Sequence, residues 1–463
     1  MARTLYQKII DAHSVAQRPG GERLLYVDRH YLDETCFTAF DTLERRGRAV
    51  RRPDLSFAFA DHTVPTRPGH VQLQDPEIRK ALERQNDDTR RHGIRFFGLG
   101  SPHQGIAHVS APEQGLTLPG LVIVGSDSHM PTHGGLGALG LGVGLSEQAH
   151  VLATQTIWHQ PADNARIRIS GTLPGATTSK DLVLELIHRI GAAGAVGSVI
   201  EFQGDTIREM PVEQRMTLCN MAVEAGARSA LVAADEQTLA YLEGRRHAPR
   251  GKALEDSRQA WRLLRSDADA AWDLDLSFEA ETLAPMVTWG TSPDEAVRID
   301  GRVPSPEDEP REARRMKMRR ALDYMGLQSG RPLKGLPIDY AFIGSCTNGR
   351  LSDLHLAAAV LRGRKVRVPT LIAPGSEAVR QAAEAEGLDR VFIEAGADWG
   401  RPGCSLCVAM NGERVGAGQR CASTTNRNFV GRQGPGSRTH LMGPAMVAAA
   451  AVSGCLADAR EFL

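Results

Sequence analysis

The sequence carries no net charge. Its 55 Lys plus Arg are balanced by 55 Asp plus Glu, so the basic footprint of a nucleic-acid-binding protein is missing at the level of the whole chain. Local clusters, Arg45-Arg46 with Arg51-Arg52 and Arg314-Arg315 with Arg319-Arg320, read as solvated surface. No stretch approaches the ~18 consecutive apolar residues that a membrane span needs. The apolar run 445–452 is too short to span and reads as a buried helix. The first residues, Met1-Ala2-Arg3-Thr4-Leu5, lack the apolar stretch of a signal peptide. Cysteine is scarce and odd in number, seven in 463 residues, which argues against a disulfide framework and makes a reducing cytoplasm the expected compartment. No Walker-type phosphate loop and no internal repeat is present. Ser128 sits in Gly125-Ser126-Asp127-Ser128-His129, which is not the G-x-S-x-G of a nucleophile elbow.

What remains is an ordinary globular composition, 41% hydrophobic and 24% charged, on a chain long enough for two to four domains. The pattern predicts helix over 4–15 and strands over 24–28, 95–98 and 121–124. A second α/β unit opens with the alternating strand 166–170. Residues 291–336 turn charged and Pro-rich, as in Pro304-Ser305-Pro306-Glu307-Asp308-Glu309-Pro310, and read as a linker. Beyond it strands are expected at 339–343, 370–373 and 391–394, with helices at 351–361 and 377–385. That alternation argues for βαβ units around a parallel sheet, whose strand ends are where ligands bind. The expected divisions are 1–165, 166–290, the linker 291–336, and 337–463.

Three constellations carry chemistry. The first combines Gly344-Ser345-Cys346-Thr347-Asn348 with Pro402-Gly403-Cys404-Ser405-Leu406-Cys407. A lone C-x-x-C says little, but here a third cysteine ends a strand and the pair follows another strand of the same sheet. Spacing leaves three readings open: a catalytic iron–sulfur cluster with one iron free of protein, a zinc site, or unligated thiols. Cys36, Cys219, Cys421 and Cys455 lack such spacing and read as packed thiols. The second is a set of His–carboxylate neighbours in loops, Asp61-His62 and Asp127-Ser128-His129, with His108 after an apolar step. An Asp that accepts from an imidazole sets its tautomer and basicity, as proton transfer requires; each pair alone is equally a structural hydrogen bond. The third is Asn426-Arg427-Asn428-Phe429-Val430-Gly431-Arg432, whose two arginine forks suit carboxylates if they are not merely surface charges. A run from Gly134 to Gly144 contains a formal G-x-G-x-x-G, but it follows a histidine loop and offers no acidic partner for a ribose, so tight backbone packing is the better reading.

Taken together, the Asp-His pair, the Asp-Ser-His loop, the Ser-Cys-Thr-Asn loop, the C-x-x-C and the Asn-Arg-Asn-Phe-x-Gly-Arg segment, in that order along the chain, resemble the aconitase superfamily from end to end. Thr4-Leu5-Tyr6 with Asp11-Ala12-His13, residues 151–156 and 216–221, Val287-Thr288-Trp289-Gly290 and Arg438-Thr439-His440-Leu441 look like its isopropylmalate branch. The resemblance implies an α/β, aconitase-like fold: three α/β domains with mainly parallel sheets around a central cluster cleft. It implies one [4Fe–4S] cluster per subunit on Cys346, Cys404 and Cys407, with one iron not ligated by protein. Asp61, His62, His108, Asp127, Ser128, His129 and Glu224 would assist loss and return of a substrate hydroxyl. Asn220, Asn426, Arg427 and Arg432 would bind a hydroxy-dicarboxylate substrate. The implied reaction, in leucine biosynthesis, takes 2-isopropylmalate to 3-isopropylmalate through isopropylmaleate, or acts on another 2-substituted malate.

Four departures from the family pattern concern substrate choice: Asp33, Met130, Ala195-Val196 and Gly400, of which Asp33 and Met130 are expected to contact or shape the substrate pocket. Single-chain relatives carry a C-terminal swivelling domain that is not recognisable here, so a separate small subunit is the expected partner, with no nucleic acid and no membrane. Two other classes remain to compare, an RNA-binding apoprotein, which the neutral charge disfavours, and a zinc enzyme or electron carrier.

Overall fold

The computed structural model describes residues 2–68 and 75–463. They form two compact units, each discontinuous in sequence: residues 2–61, 75–171 and 195–279 in the first, residues 62–68, 172–194 and 280–463 in the second.

The first unit is built on two parallel sheets. One runs in the order Arg95–Phe97, Ser56–Phe59, Arg29–Leu32, Val122–Gly125, Leu139–Gly142. The other runs Ser229–Leu231, Ser198–Gln203, Asp163–Ser170, Leu274–Glu279. A small antiparallel sheet joins Ser14–Gln17, Arg23–Tyr26 and Thr156–His159. Ser56–Phe59 and Val122–Gly125 are buried at every residue, as in a parallel sheet covered on both faces. The N-terminal helix spans Leu5–His13 and starts at Thr4, whose side chain and that of Gln7 form a capping box.

The second unit holds a five-stranded parallel sheet, ordered Asp398–Trp399, Thr370–Ile372, Tyr340–Ile343, Arg420–Ser423, Arg438–Leu441. Helices Leu351–Leu361 and Glu377–Ala385 lie where periodicity predicts them. The α/β class with mainly parallel sheets is thus the one observed.

Two local differences have clear causes. Residues 391–394, expected as strand, lie within the helix Leu388–Ala395, which buries Leu388, Phe392 and Ala395 at helical spacing and is bracketed by left-handed Gly387 and Gly396. The strand of that region is the two-residue Asp398–Trp399. Within 291–336 the chain forms the strand Ala296–Arg298 and the helix Glu312–Met325, so charged composition there reflects an exposed helix face as well as loops.

The glycine run does not form a strand–turn–helix. It is a 3₁₀ stretch, Met130–Leu136, followed by the strand Leu139–Gly142. A Cβ on Gly134 would lie 1.7 Å from the Ala230 carbonyl oxygen, and one on Gly140 would lie 1.9 Å from that of Met130. Close backbone approach is what demands glycine here. No helix among the described residues is long and apolar enough to cross a membrane.

Candidate active site

The carboxyl ends of three adjacent strands in the first unit lead directly into acidic residues. Arg29–Leu32 runs into Asp33, Ser56–Phe59 into Asp61 after one residue, and Val122–Gly125 into Asp127 after Ser126. Chain geometry alone therefore gathers three carboxylates at one edge of the sheet, the side where open α/β sheets bind ligands.

Asp127 is the hub of a chain of polar groups. Its Oδ1 accepts from the His129 backbone N–H at 2.7 Å and lies 3.2 Å from Nδ1 of the same histidine; its Oδ2 lies 3.3 Å from His108 Nε2. The far side of His129 meets Glu224 at 2.9 Å. His108 Nδ1 continues the chain to His133 Nε2 at 3.2 Å, and His133 Nδ1 meets the Thr117 hydroxyl at 2.9 Å. Burial lowers the His129 pKa, but its bonds to Asp127 and Glu224 outweigh that and leave it raised above the ordinary value.

Asn220 and Glu224, four residues apart, straddle a change of helix type: the helix Val212–Ala222 gives way to the 3₁₀ turn Val223–Ala225. Both still reach the same segment, since Asn220 donates to Thr132 Oγ1 at 2.8 Å and Thr132 donates to the His129 carbonyl.

Asp61 accepts from the Ala107 N–H at 2.9 Å, at the start of the helix Ala107–Glu113 that carries His108. Ser128 is exposed and lines a pocket with Ser126, Glu147 and Arg228. Asp33 caps the short turn Glu34–Cys36 and accepts the Ser126 hydroxyl, one residue from Asp127. Met130 is buried in an apolar cluster with Tyr31, Phe59, Phe97 and Ile123, and its sulfur lies against Gly125. It packs beneath the 125–130 loop.

In the second unit, Cys346 follows the central strand Tyr340–Ile343, while Cys404 and Cys407 follow Asp398–Trp399. All three are buried free thiols. The side-chain amide of Asn426, three residues beyond Arg420–Ser423, spans two of them: its Nδ2 donates to Cys346 Sγ at 3.4 Å and its Oδ1 lies 3.5 Å from Cys407 Sγ. A ring nitrogen of His62 comes within 4.8 Å of Cys404 Sγ. Ser345 and Ser405, each beside a cysteine, take left-handed backbone conformations at φ 74° and 50°, strain of a kind that gathers at functional sites. The other four thiols are placed separately: Cys36 against Gln148, Cys219 in the first unit, Cys421 inside a strand, and half-buried Cys455 paired with Pro337. Burial pushes the Cys219 and Cys421 thiols up, as suits packing rather than chemistry.

Glu413 ties these parts of the second unit together. Its carboxylate accepts from the Thr66 N–H and hydroxyl, the Arg67 N–H and the Ser405 hydroxyl, joining the segment that carries His62 to the C-x-x-C turn. Gly400 belongs to the same join, because a Cβ there would lie 2.9 Å from the Thr66 carbonyl oxygen. In the 426–432 loop, Asn428 is structural and donates to the Gly290 carbonyl at 2.8 Å. Arg427 is half-buried, whereas Arg432 stacks over Phe429 and keeps its Nε buried without a hydrogen-bond partner. That open donor suits an anionic group.

Two buried thiols, Cys346 and Cys407, on either side of the Asn426 amide, with the buried Cys404 three residues before Cys407, fit an iron–sulfur cluster with three protein ligands. Sequence reasoning passed over His133, Thr117 and Glu413. Their partners lie 25, 16 and up to 347 residues away, so no short motif contains them.

The family described as the Aconitase family (aconitate hydratase) matches residues 7–454. Among solved structures, aconitase X of Thermococcus kodakaraensis in its holo-form is similar at 14% identity with a TM-score of 0.48, over 92% of this chain and 89% of that chain.

Proposed function

We propose, on the premise that this chain belongs to the aconitase family, that it is the large subunit of a [4Fe–4S] hydro-lyase that isomerises 2-isopropylmalate to 3-isopropylmalate, a step of leucine biosynthesis. The observation that carries this reading is the convergence of Cys346 and Cys407 on Asn426, with Cys404 one turn away. When bound on these cysteines, a four-iron cluster supplies a Lewis-acidic iron that no protein thiolate occupies.

The chain's own residues supply the rest. His129, its pKa raised by its bonds to Asp127 and Glu224, donates a proton to the departing hydroxyl, which leaves as water, and takes a proton back from the water that adds at the neighbouring carbon. His108, bonded through His133 to Thr117, offers Asp127 a second route for that proton. Arg427 and Arg432 hold substrate carboxylates, for which the free Nε of Arg432 is ready. Abstraction of the carbon-bound proton needs a base within reach of it. We assign that base to a separate small subunit.

Asp33 favours a second reading, a paralogue acting on another 2-substituted malate or maleate, such as a methylmalate/citraconate, dimethylmaleate or homoaconitate-type substrate. It brings a charge to the Ser126–Asp127 loop. The test is to reconstitute the chain anaerobically with its co-expressed small subunit and follow absorbance of the unsaturated intermediate across a panel of 2-substituted malates. Preference for 2-isopropylmalate supports the first reading. Absence of any hydro-lyase turnover on the panel overturns both.

A further inference from the structure

Lys180 is the second residue of the helix Ser179–Ile190, and it is fully buried at 0% exposure. Its ammonium donates to the carbonyl oxygens of Thr425 at 2.6 Å and Thr424 at 2.9 Å, and it forms no ion pair with a carboxylate among the described residues. A charge taken out of water is expensive unless a countercharge meets it. Burial pushes its pKa down to about 7, against the opposing pull of Cys407, Asp353, Cys346 and Asp181. Asp181 is itself engaged with the Met286 N–H and with Thr178, and Asp353 with Asn348 and the Arg350 N–H.

The two carbonyls that Lys180 holds immediately precede Asn426. The Thr424 hydroxyl meanwhile exchanges hydrogen bonds with both the N–H and the carbonyl of Gly344, two residues before Cys346. One ammonium therefore grips the peptide on which the amide between Cys346 and Cys407 is mounted. The helix that supplies it is anchored by its own capping box at Thr178 and Asp181.

We propose that Lys180 is a positioning residue for the sulfur site: it fixes the 424–425 carbonyls so that Asn426 reaches both sulfurs, and its positive charge offsets the negative charge of the thiolates once a cluster is bound. This rests on the reading of Cys346, Cys404 and Cys407 as cluster ligands. Removing the charge weakens retention of iron, while in the empty protein relief from burying an ammonium that has no ion pair offsets the two hydrogen bonds lost to the Thr424 and Thr425 carbonyls.

The experiment compares wild type with Lys180→Met, which removes charge and hydrogen bonds, and Lys180→Gln, which keeps an amide donor without charge. Each is purified without metal, melted, and then reconstituted anaerobically with ferrous iron and sulfide. Iron and sulfide per chain, visible absorption, and the rate of bleaching in air are then measured. The expected result is a metal-free melting curve close to wild type with iron lost about 10–100-fold faster in both variants, the range typical of groups that support metal ligands. Should Lys180→Met fail to fold, Lys180→Gln carries the comparison. Wild-type bleaching rates and iron content in the variants would overturn the proposal, and so would a melting loss equal in metal-free and loaded protein. Failure of the wild type itself to take up iron and sulfide would instead strike the underlying cluster reading.

Discussion

Buried His129 has its pKa raised, against the pull of burial, by Asp127 and Glu224, which bracket its two ring nitrogens. Replacing it with Asn should lower kcat by about 10²–10⁴-fold, the usual contribution of one acid–base group, with iron content unchanged; an equal loss of iron would point to a structural role. Cys407→Ser should instead abolish both iron uptake and turnover while leaving most of the circular-dichroism melt, since Cys407 lies in a turn outside the sheet. At Asp33 and Met130 the expected readout is selectivity. Changing Asp33→His together with Met130→Thr should move the ratio of kcat/KM between 2-isopropylmalate and smaller malates by about 10–200-fold, the scale of a methylene-sized pocket change. Met130 acts there through the packing of the 125–130 loop, Asp33 through Ser126. Three other histidines set acid stability. Burial holds His30 and His440 down to about 3 and His159 down to about 4, all below the ordinary 6.5. A base whose folded pKa is depressed contributes stability above its unfolded pKa and loses it as pH falls. Each should therefore lower stability by about 1.4 kcal/mol per pH unit between 6.5 and its folded value. Asp181, raised by burial to about 6, opposes this trend, as do Glu201 and Glu295, which burial also raises. Urea titrations should show stability falling from pH 6.5 to 4.5, and a flat profile would contradict the burial of these rings.

At the scale of elements, the decisive feature is how backbone segments approach one another. Residues 130–136 run so close to the strand Ser229–Leu231 that the Gly134 carbonyl accepts from the Val232 N–H at 2.8 Å. Gly134→Ala should therefore destabilise by about 3 kcal/mol, at the upper end of overpacking costs, measured by the shift in denaturation midpoint. An alanine at Gly100, which has nothing within 4 Å of its would-be Cβ, should cost less through its φ of +83° alone. The helix Leu388–Ala395 shows why 391–394 looked like a strand. Val391, Phe392 and Ile393 are β-branched or aromatic in a row, yet only Phe392 of the three is buried, and the flanking glycines close the helix. A four-residue window shows the strand-formers, and the buried spacing emerges only over eight. The branch-like motifs at the N-terminus prove to be packing devices. Thr4 caps its helix and bonds to Asn164, and Tyr6 bonds to His159.

For the molecule as a whole, the expectation is that turnover requires a second chain. Reconstituted alone, this subunit should show less than about one-hundredth of the activity of the complex, the least that loss of one positioned base removes. Assays with and without the small subunit check this, and comparable rates would place the base here. The amino-acid sequence was enough for the α/β class, for several strands and helices such as those at 339–343, 351–361 and 377–385, and for the cysteine and Asp–His motifs as groups worth locating. It sufficed because these depend on periodicity and on spacings of a few residues, which local physics reads directly. Tertiary packing alone sets three aspartates on one sheet edge, extends the chain behind His108 through His133 and Thr117, joins the His62 segment to the C-x-x-C through Glu413, and brings Lys180 onto the peptide of Asn426. Lys180 and Thr425 are 245 residues apart. No local propensity records a partner at that distance; the packing of sheets and helices brings the two together, and the cost of a buried ammonium keeps them there.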